Sequence, residues 1–340
     1  MAAPDFHVIY QAAAQARLVE FKMKTDQPGP GEALVRTRKT LISTGTEIGI
    51  LTGNHFKVKQ GILNFPIDNW GYSNVCTVEA VGPGVSNVKP GDRIMLMAPH
   101  ATRCIVKTDD PTLYKVPANV KDEDAIFASV LCITLHGVRT SGVCIGDSCA
   151  VIGQGLIGHL TLLWMELAGA NPLLALDPMP ERRALCRGRN CLALDPTDEA
   201  TIRPYIGTEA PGTGMKIVME CSGHPKGTEL ALRLAQRCGQ ITIVSGNHQT
   251  IPMDLYTQFQ MKELRMNSMH MPKVSNAVDP YVAWNRGILL RTIFDFMAQG
   301  RLLPSKLLTN TVPWKEAAEG YRLLIEEKVK TFAVAIDWTK

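Results

Sequence analysis

Over residues 6–108 apolar and polar positions alternate in short runs, and the runs are rich in β-branched side chains, as in residues 33–38 and 76–81. That period of two predicts half-buried strands. The runs are broken at Pro28 Gly29 Pro30 Gly31, at Gly82 Pro83 Gly84 and at Lys89 Pro90 Gly91 Asp92, each a place where a strand reverses. A compact β-barrel is the simplest closure of such a module.

From about Cys132 the pattern changes. Short, strongly apolar runs at 148–152, 172–176, 216–220 and 240–244, with a weaker one at 263–267, alternate with longer helical stretches. Strands that are apolar on both faces and separated by helices predict βαβ units and a buried parallel sheet. Beyond Met271 the pattern predicts a helix over 284–299, a β-like stretch over 307–312, a helix over 314–326 and a strand over 330–336. The predicted organisation is a β-rich domain over 1–131, a parallel α/β domain over 132–271 and a tail, 272–340, that returns to the first domain. The sequence carries no internal repeat.

The sharpest motif stands between a strand and a helix. Gly153 Gln154 Gly155 Leu156 Ile157 Gly158 follows the apolar run Cys149 Ala150 Val151 Ile152 and opens a helix over 159–167. In that context the three glycines read as a dinucleotide fingerprint. Gly153 permits the tight turn, Gly155 lets a pyrophosphate approach the backbone, and Gly158 lets the helix pack on the strand, with the helix N-terminus facing the phosphates. The next apolar run ends at Asp177, where a carboxylate can accept hydrogen bonds from a ribose and repel a 2′-phosphate. NAD(H) is therefore expected over NADP(H), although the guanidinium of Arg182, or of Arg183, is also placed to meet a phosphate.

Composition narrows the class. A chain of 340 residues with 45% hydrophobic and 20% charged residues suits two folded domains. The net charge of +4 is small and comes with no Lys/Arg run, which argues against nucleic-acid or membrane partners. No apolar stretch approaches the ~18 residues that span a bilayer, and no leader-like segment opens the chain. Nine cysteines without a CxxC spacing fit a reducing compartment. A cytoplasmic protein with a small-molecule substrate is expected, as a homodimer or homotetramer.

The order of these parts, with Val81 Gly82 Pro83 Gly84 Val85 and Val88 Lys89 Pro90 Gly91 Asp92 Arg93, resembles the medium-chain dehydrogenase/reductase superfamily. The resemblance implies an α/β protein with a GroES-like β-barrel catalytic domain and a doubly wound Rossmann sheet. It also implies an oxidoreductase that moves a hydride to or from a nicotinamide. On the same resemblance Thr134 packs beside the nicotinamide, and the loops Cys221 Ser222 Gly223 and Ser245 Gly246 flank it.

The departures from the family pattern bear on the chemistry. Where zinc members carry Cys-Gly-Ser/Thr-Asp this chain has Thr44 Gly45 Thr46 Glu47, and where they carry Gly-His-Glu it has Gly71 Tyr72 Ser73. Catalytic zinc needs about three Cys, His or acidic ligands. Cys132 lies near the third ligand position, with Cys76, His55, His100 and His136 as further donors, but one soft ligand does not hold the metal. The four-cysteine lobe of zinc members is missing too, so no zinc is expected.

Without a Lewis acid, a hydrogen-bond donor must polarise the substrate. Tyr72 is the first candidate, Thr46 matches a family proton relay, and Glu47 is an acid/base or a brace. Phe56, Trp70, Met97, Met269 and His270 are expected to line the substrate site. The expected reaction interconverts a secondary alcohol, sugar- or cyclitol-like, and its ketone. The alternatives are reduction of an activated C=C or C=N bond, or a nucleotide-binding relative without catalysis.

Overall fold

The computed structural model describes residues 4–246, 249–270 and 284–340. Its packing divides the chain into two units, Met1–Val130 with Ser275–Lys340, and Leu131–Val274. Met271 and the first part of the expected tail, 272–283, lie outside the described residues.

The first unit opens with an antiparallel hairpin, β1 (Asp5–Ala12) and β2 (Gln15–Phe21). Its remaining N-terminal strands are β3 (Glu32–Leu41), β4 (Asn74–Val81), β5 (Arg93–Leu96), β6 (Arg103–Lys107) and β7 (Tyr114–Lys115). The long β3 organises the sheet. It pairs antiparallel with β4 on one side and with β6 on the other. The expected turns fall between these strands, and two of them interlock: a Cβ on Gly82 would stand 1.8 Å from the carbonyl oxygen of Gly29. Only glycine fits there. Val35, Cys76, Val78, Ile94 and Leu96 form one apolar layer, and burial of each full-sized side chain contributes about 1.5–3 kcal/mol.

The second unit holds six parallel strands: β8 (Cys149–Ile152), β9 (Leu173–Leu176), β10 (Leu192–Leu194), β11 (Met215–Glu220), β12 (Ala235–Ile243) and β13 (Arg265–Ser268). Their spatial order is β10-β9-β8-β11-β12-β13, the doubly wound Rossmann order. The order reverses between β8 and β11, and in such sheets ligands bind outside the carboxyl ends of the strands at that point. Helices Leu156–Leu167 and Pro225–Leu234 provide the long crossovers. Every residue of β8 and β9 is buried, as continuous apolar runs require in a sheet covered on both faces.

The expected runs match strands within a few residues, with two differences. Strand β10 was not anticipated, because it has only three residues and Leu192 is 48% exposed. The strand expected to begin at 240 begins at Ala235, and its register slips where Met215 and Ile217 of β11 meet it. In the tail the helix is Arg286–Ala298. Strand β14 (Asn310–Pro313) follows a tight turn over Pro304–Leu307, helix Ala317–Glu326 follows another over Trp314–Glu316, and β15 (Val334–Asp337) ends the fold. In the first unit β15 pairs antiparallel with β3, and β14 pairs with β15. Among the described residues no helix is long and apolar enough to cross a membrane.

Candidate functional site

Strand β8 feeds into a turn at Gly153, whose φ is +85°. A Cβ there would lie 2.6 Å from Ser222 Cα, so both the left-handed backbone and the neighbouring loop demand glycine. Gly158 is tighter still, its Cβ falling 1.7 Å from the Gly153 carbonyl oxygen; this contact lets the helix close onto the strand. Gly155 differs from both. Its φ of −74° suits any residue, and among the described residues other than its chain neighbours and its own helix's backbone the one atom within 4 Å of its Cβ position is Arg182 Nη1 at 3.9 Å. The protein leaves the space over Gly155 open, at the N-cap of a 12-residue helix with no side-chain cap. Unsatisfied N–H groups and the helix dipole make such a place a cradle for a phosphate.

The other fingerprint residues are structural. Gln154 is fully buried and its amide donates to the Val151 carbonyl at 2.9 Å. Leu156 is buried and Ile157 half-buried. The Gln154 backbone N–H donates to Asp177 Oδ2 at 2.8 Å, and Met179 N–H donates to Asp177 Oδ1 at 2.8 Å. Asp177 thus ties the carboxyl end of β9 to the glycine turn. It does not cap the following helix, whose N-cap is Met179. Arg182 Nη1 lies 3.6 Å from Asp177 Oδ2. Arg183 is engaged elsewhere, with the Asp177 and Pro178 carbonyls at 2.7 and 2.8 Å and Asp195 at 3.0 Å.

The loops after β11 and β12 meet beside this turn. Ser245 Oγ donates to the Cys221 carbonyl at 2.6 Å, and a Cβ on Gly223, φ +64°, would stand 3.0 Å from the Gly246 carbonyl oxygen. Cys221 is buried with its thiol on Thr161 Oγ1, and burial pushes that thiol up. Glu220, at the end of β11, fixes the first loop: its Oε1 accepts from Ser222 N–H at 2.8 Å and from the Ser222 hydroxyl. Burial raises this carboxyl above its ordinary range. Thr134 is fully buried and bonded to the Leu131 carbonyl at 3.2 Å inside its own helix. Met269 is buried, with its Cγ 3.6 Å from the Cβ position of Gly137, whereas His270 is exposed.

In the first unit Thr46 opens the helix Thr46–Leu51, and Tyr72 precedes β4. The Tyr72 hydroxyl donates to Ser43 Oγ and bonds the Thr46 side chain. Its pKa is pushed up to about 12, by burial first and then by the Glu47 carboxylate. Glu47 is fully buried. Its Oε2 accepts from Tyr10 Oη at 2.9 Å, Tyr321 Oη at 3.2 Å and His100 Nε2 at 2.9 Å, and its Oε1 from Ser43 N–H at 3.1 Å. His100 Nδ1 in turn meets Thr40 Oγ1 at 2.8 Å. Full burial and four donors from the protein itself support a brace behind Tyr72.

Trp70 lies beneath Lys57, 5.9 Å from its ring centroid, and accepts His100 N–H at its carbonyl at 3.1 Å. Phe56 is 37% exposed, its ring tilted at 35° to that of His55 with centroids 4.7 Å apart. Met97 follows β5 and is exposed, and Arg286 donates to its sulfur at 3.6 Å. Sequence reasoning missed Ser43, Tyr10, Tyr321 and Glu220, and weighed His100 only as a metal donor. Tyr10 and Tyr321 reach Glu47 across 37 and 274 residues and meet it only in the fold, whereas Ser43 and Glu220 bond partners four and two residues away.

A family model described as zinc-binding dehydrogenase matches residues 157–285. The chain is 27% identical over 193 residues to (R,R)-butanediol dehydrogenase of Bacillus subtilis (strain 168), covering 49% of this chain and 56% of that protein's length. It is 23% identical over 335 residues to L-threonine 3-dehydrogenase of Caldanaerobacter subterraneus, covering 90% and 91%. Among solved structures, alcohol dehydrogenase TADH from Thermus sp. ATN1 superposes with a TM-score of 0.81 at 22% identity, covering 98% of this chain and 99% of that one. An Escherichia coli CFT073 alcohol dehydrogenase (rspB), solved with NADH, gives a TM-score of 0.80 at 16% identity, covering 99% and 100%. The chain has the fold of these medium-chain dehydrogenases, a GroES-like module and a Rossmann sheet.

Proposed function

We propose that this chain is an oxidoreductase that transfers a hydride between NAD(H) and a secondary alcohol or its ketone, of the sugar-alcohol kind, without zinc. The observation that carries the reading is the open place over Gly155, framed by Asp177 and Arg182. A pyrophosphate fits where a Cβ would meet no protein atom nearer than 3.9 Å. The named activities of the relatives, on butanediol and threonine, and the NADH held by the Escherichia coli neighbour point the same way.

The donor set does not fit a zinc ion. The hydroxyls of Thr44, Tyr72 and Ser73 stand at the family's ligand positions, and neutral hydroxyls are poor substitutes for thiolate and imidazole. His100 and Glu47 bind each other and neighbouring hydroxyls. Among the described residues no group of three or more His, Cys, Asp or Glu is placed to hold a metal.

When bound, the nicotinamide supplies or accepts the hydride. Tyr72 holds the proton at its Oη, and Ser43 and Thr46 steady that hydroxyl from the protein side. A phenol pushed up to about 12 stays protonated at neutral pH, which suits donation to a carbonyl oxygen during reduction. Asp177 selects NAD(H), because a 2′-phosphate beside its carboxylate meets repulsion. Calorimetry on the purified protein should give NADH the tighter binding by about 1–3 kcal/mol, and Asp177→Ser should narrow the gap. Equal affinities for NADH and NADPH would remove the NAD assignment, and no binding of either would remove the function.

A further inference from the structure

The stretch 48–67 carries two lysines, Lys57 and Lys59, and no Asp or Glu. Lys57 is half-buried. Elsewhere in the first unit half-buried cations such as Arg38, Arg93 and Arg103 hold carboxylates, Asp122 at 2.6 and 2.7 Å and Asp5 at 2.7 Å. Lys57 has no such partner among the described residues; its ammonium stands over the Trp70 ring, 5.9 Å from the centroid. Taking a cation partly out of water costs free energy unless it is paired, and a cation–π contact at that range offsets only part of the cost.

The backbone on both sides of this pair is anchored. Lys57 N–H donates to His55 Nδ1 at 3.3 Å, and the Lys57 carbonyl accepts from Ile62 N–H at 2.8 Å and Leu63 N–H at 3.0 Å. Trp70 packs against the apolar cluster that includes Ile50 and Leu51. Its carbonyl accepts His100 N–H at 3.1 Å, and at Gly71, where φ is +136°, a Cβ would stand 2.8 Å from His100 Cδ2. The segment from Trp70 to Tyr72 is therefore held against His100. Two residues of chain span at most about 7 Å between Cα atoms, so Lys57 is tied, through Trp70, to the short segment that carries Tyr72.

We propose that Lys57, seated on Trp70, binds a carboxylate or a phosphate carried by the substrate. The inference deepens the function proposed above and rests on it for the identity of the site: the reacting alcohol then belongs to an anionic molecule, a sugar acid or a sugar-alcohol phosphate, rather than to a neutral polyol. An ammonium is a compact point charge with three donors, so it takes an oxygen of either group. An anion arriving there meets the cation without displacing a resident carboxylate. Lys59, two residues on, is exposed and adds only a screened attraction at longer range. Hydrogen bonds to a charged group are worth roughly ten- to a hundredfold in affinity.

Three probes of the same carbon-chain length separate the cases: sorbitol, which is neutral, gluconate, which carries a carboxylate, and sorbitol 6-phosphate. Each is titrated into the full-length protein in a calorimeter and assayed for turnover with NAD, and NADH binding is measured alongside. At least one anion is expected to bind roughly ten- to a hundredfold more tightly than sorbitol, and whichever does so identifies the group. Lys57→Met keeps most of the stem and removes the charge; it should abolish that preference and leave sorbitol unchanged. Lys57→Arg should retain most of the preference, and Lys59→Met should leave it as in wild type. Anions that bind no more tightly than sorbitol, or a Lys57→Met protein in which all three probes weaken alike, would overturn the subsite. Lys57-dependent anion binding by a protein that binds no NADH would instead overturn the proposed function and leave the subsite standing.

Discussion

Replacing Glu47 by alanine tests the buried polar centre of the first unit. The carboxylate takes donors from Tyr10, Tyr321, His100 and Ser43 at 2.9, 3.2, 2.9 and 3.1 Å, and both Glu47 and His100 are fully buried. Truncation leaves all four donors without their acceptor in an apolar cluster that includes Ile42, Ile50, Val334 and Ile336. Each buried orphan costs about 1–3 kcal/mol, but they do not add, because water can enter the space the side chain vacates. Removing one partner of a buried ionic network typically costs about 3–5 kcal/mol. With about 2–4 °C lost per kcal/mol at this size, the melting temperature should fall by roughly 6–20 °C. Glu47→Gln keeps the shape and two acceptor lone pairs, so its loss should be smaller. The assay is differential scanning calorimetry at pH 7.5, with urea unfolding as a second measure. A Glu47→Ala protein within about 1 kcal/mol of wild type would refute the reasoning, since no reading of this network as a brace survives that result.

Two further outcomes are expected. Tyr72→Phe should lower turnover by about 10²- to 10⁴-fold while NADH affinity and stability stay the same; steady-state kinetics retaining more than about half of wild-type turnover would mean that Tyr72 only packs. His159, buried in the helix after the glycine turn, has its imidazole pushed down to about 4, by burial first and then by the Arg189 charge. The unfolded chain takes up this proton near pH 6.5 and the folded one resists until about pH 4, so stability is lost as pH falls through that window. By pH 5 the loss is about 2 kcal/mol; urea unfolding of His159→Gln should lack this part of the acid sensitivity, and an identical pH profile would contradict it.

The glycine turn was legible because it stands between an apolar strand and a helix. Gly158 is needed by its contact with Gly153, five residues before it, and Gly153 by its left-handed backbone and by Ser222 after β11, and the apolar runs of β8 and β9 announce buried parallel strands. Strand β10 was hidden because a three-residue, half-exposed edge strand has no periodicity to read. The centre around Glu47 was hidden for another reason. Tyr10, His100 and Tyr321 reach it across 37, 53 and 274 residues, and only the return of β15 to β3 and the helix Ala317–Glu326 bring the last of them in. Asp177 was found by its distance from the glycines, but its bond to the Gln154 N–H was not.

The most direct test of the central claim, hydride transfer with NAD(H) and no metal, is turnover by chelator-treated protein. Purified protein is dialysed against a strong chelator, its zinc is measured by elemental analysis, and secondary alcohols and polyols are screened with NAD while the reduced nicotinamide is followed by its absorbance. The account predicts far less than one zinc per chain and, for at least one substrate, a rate that chelation leaves unchanged. Stoichiometric zinc, with turnover lost on chelation and restored by adding the metal, would contradict it.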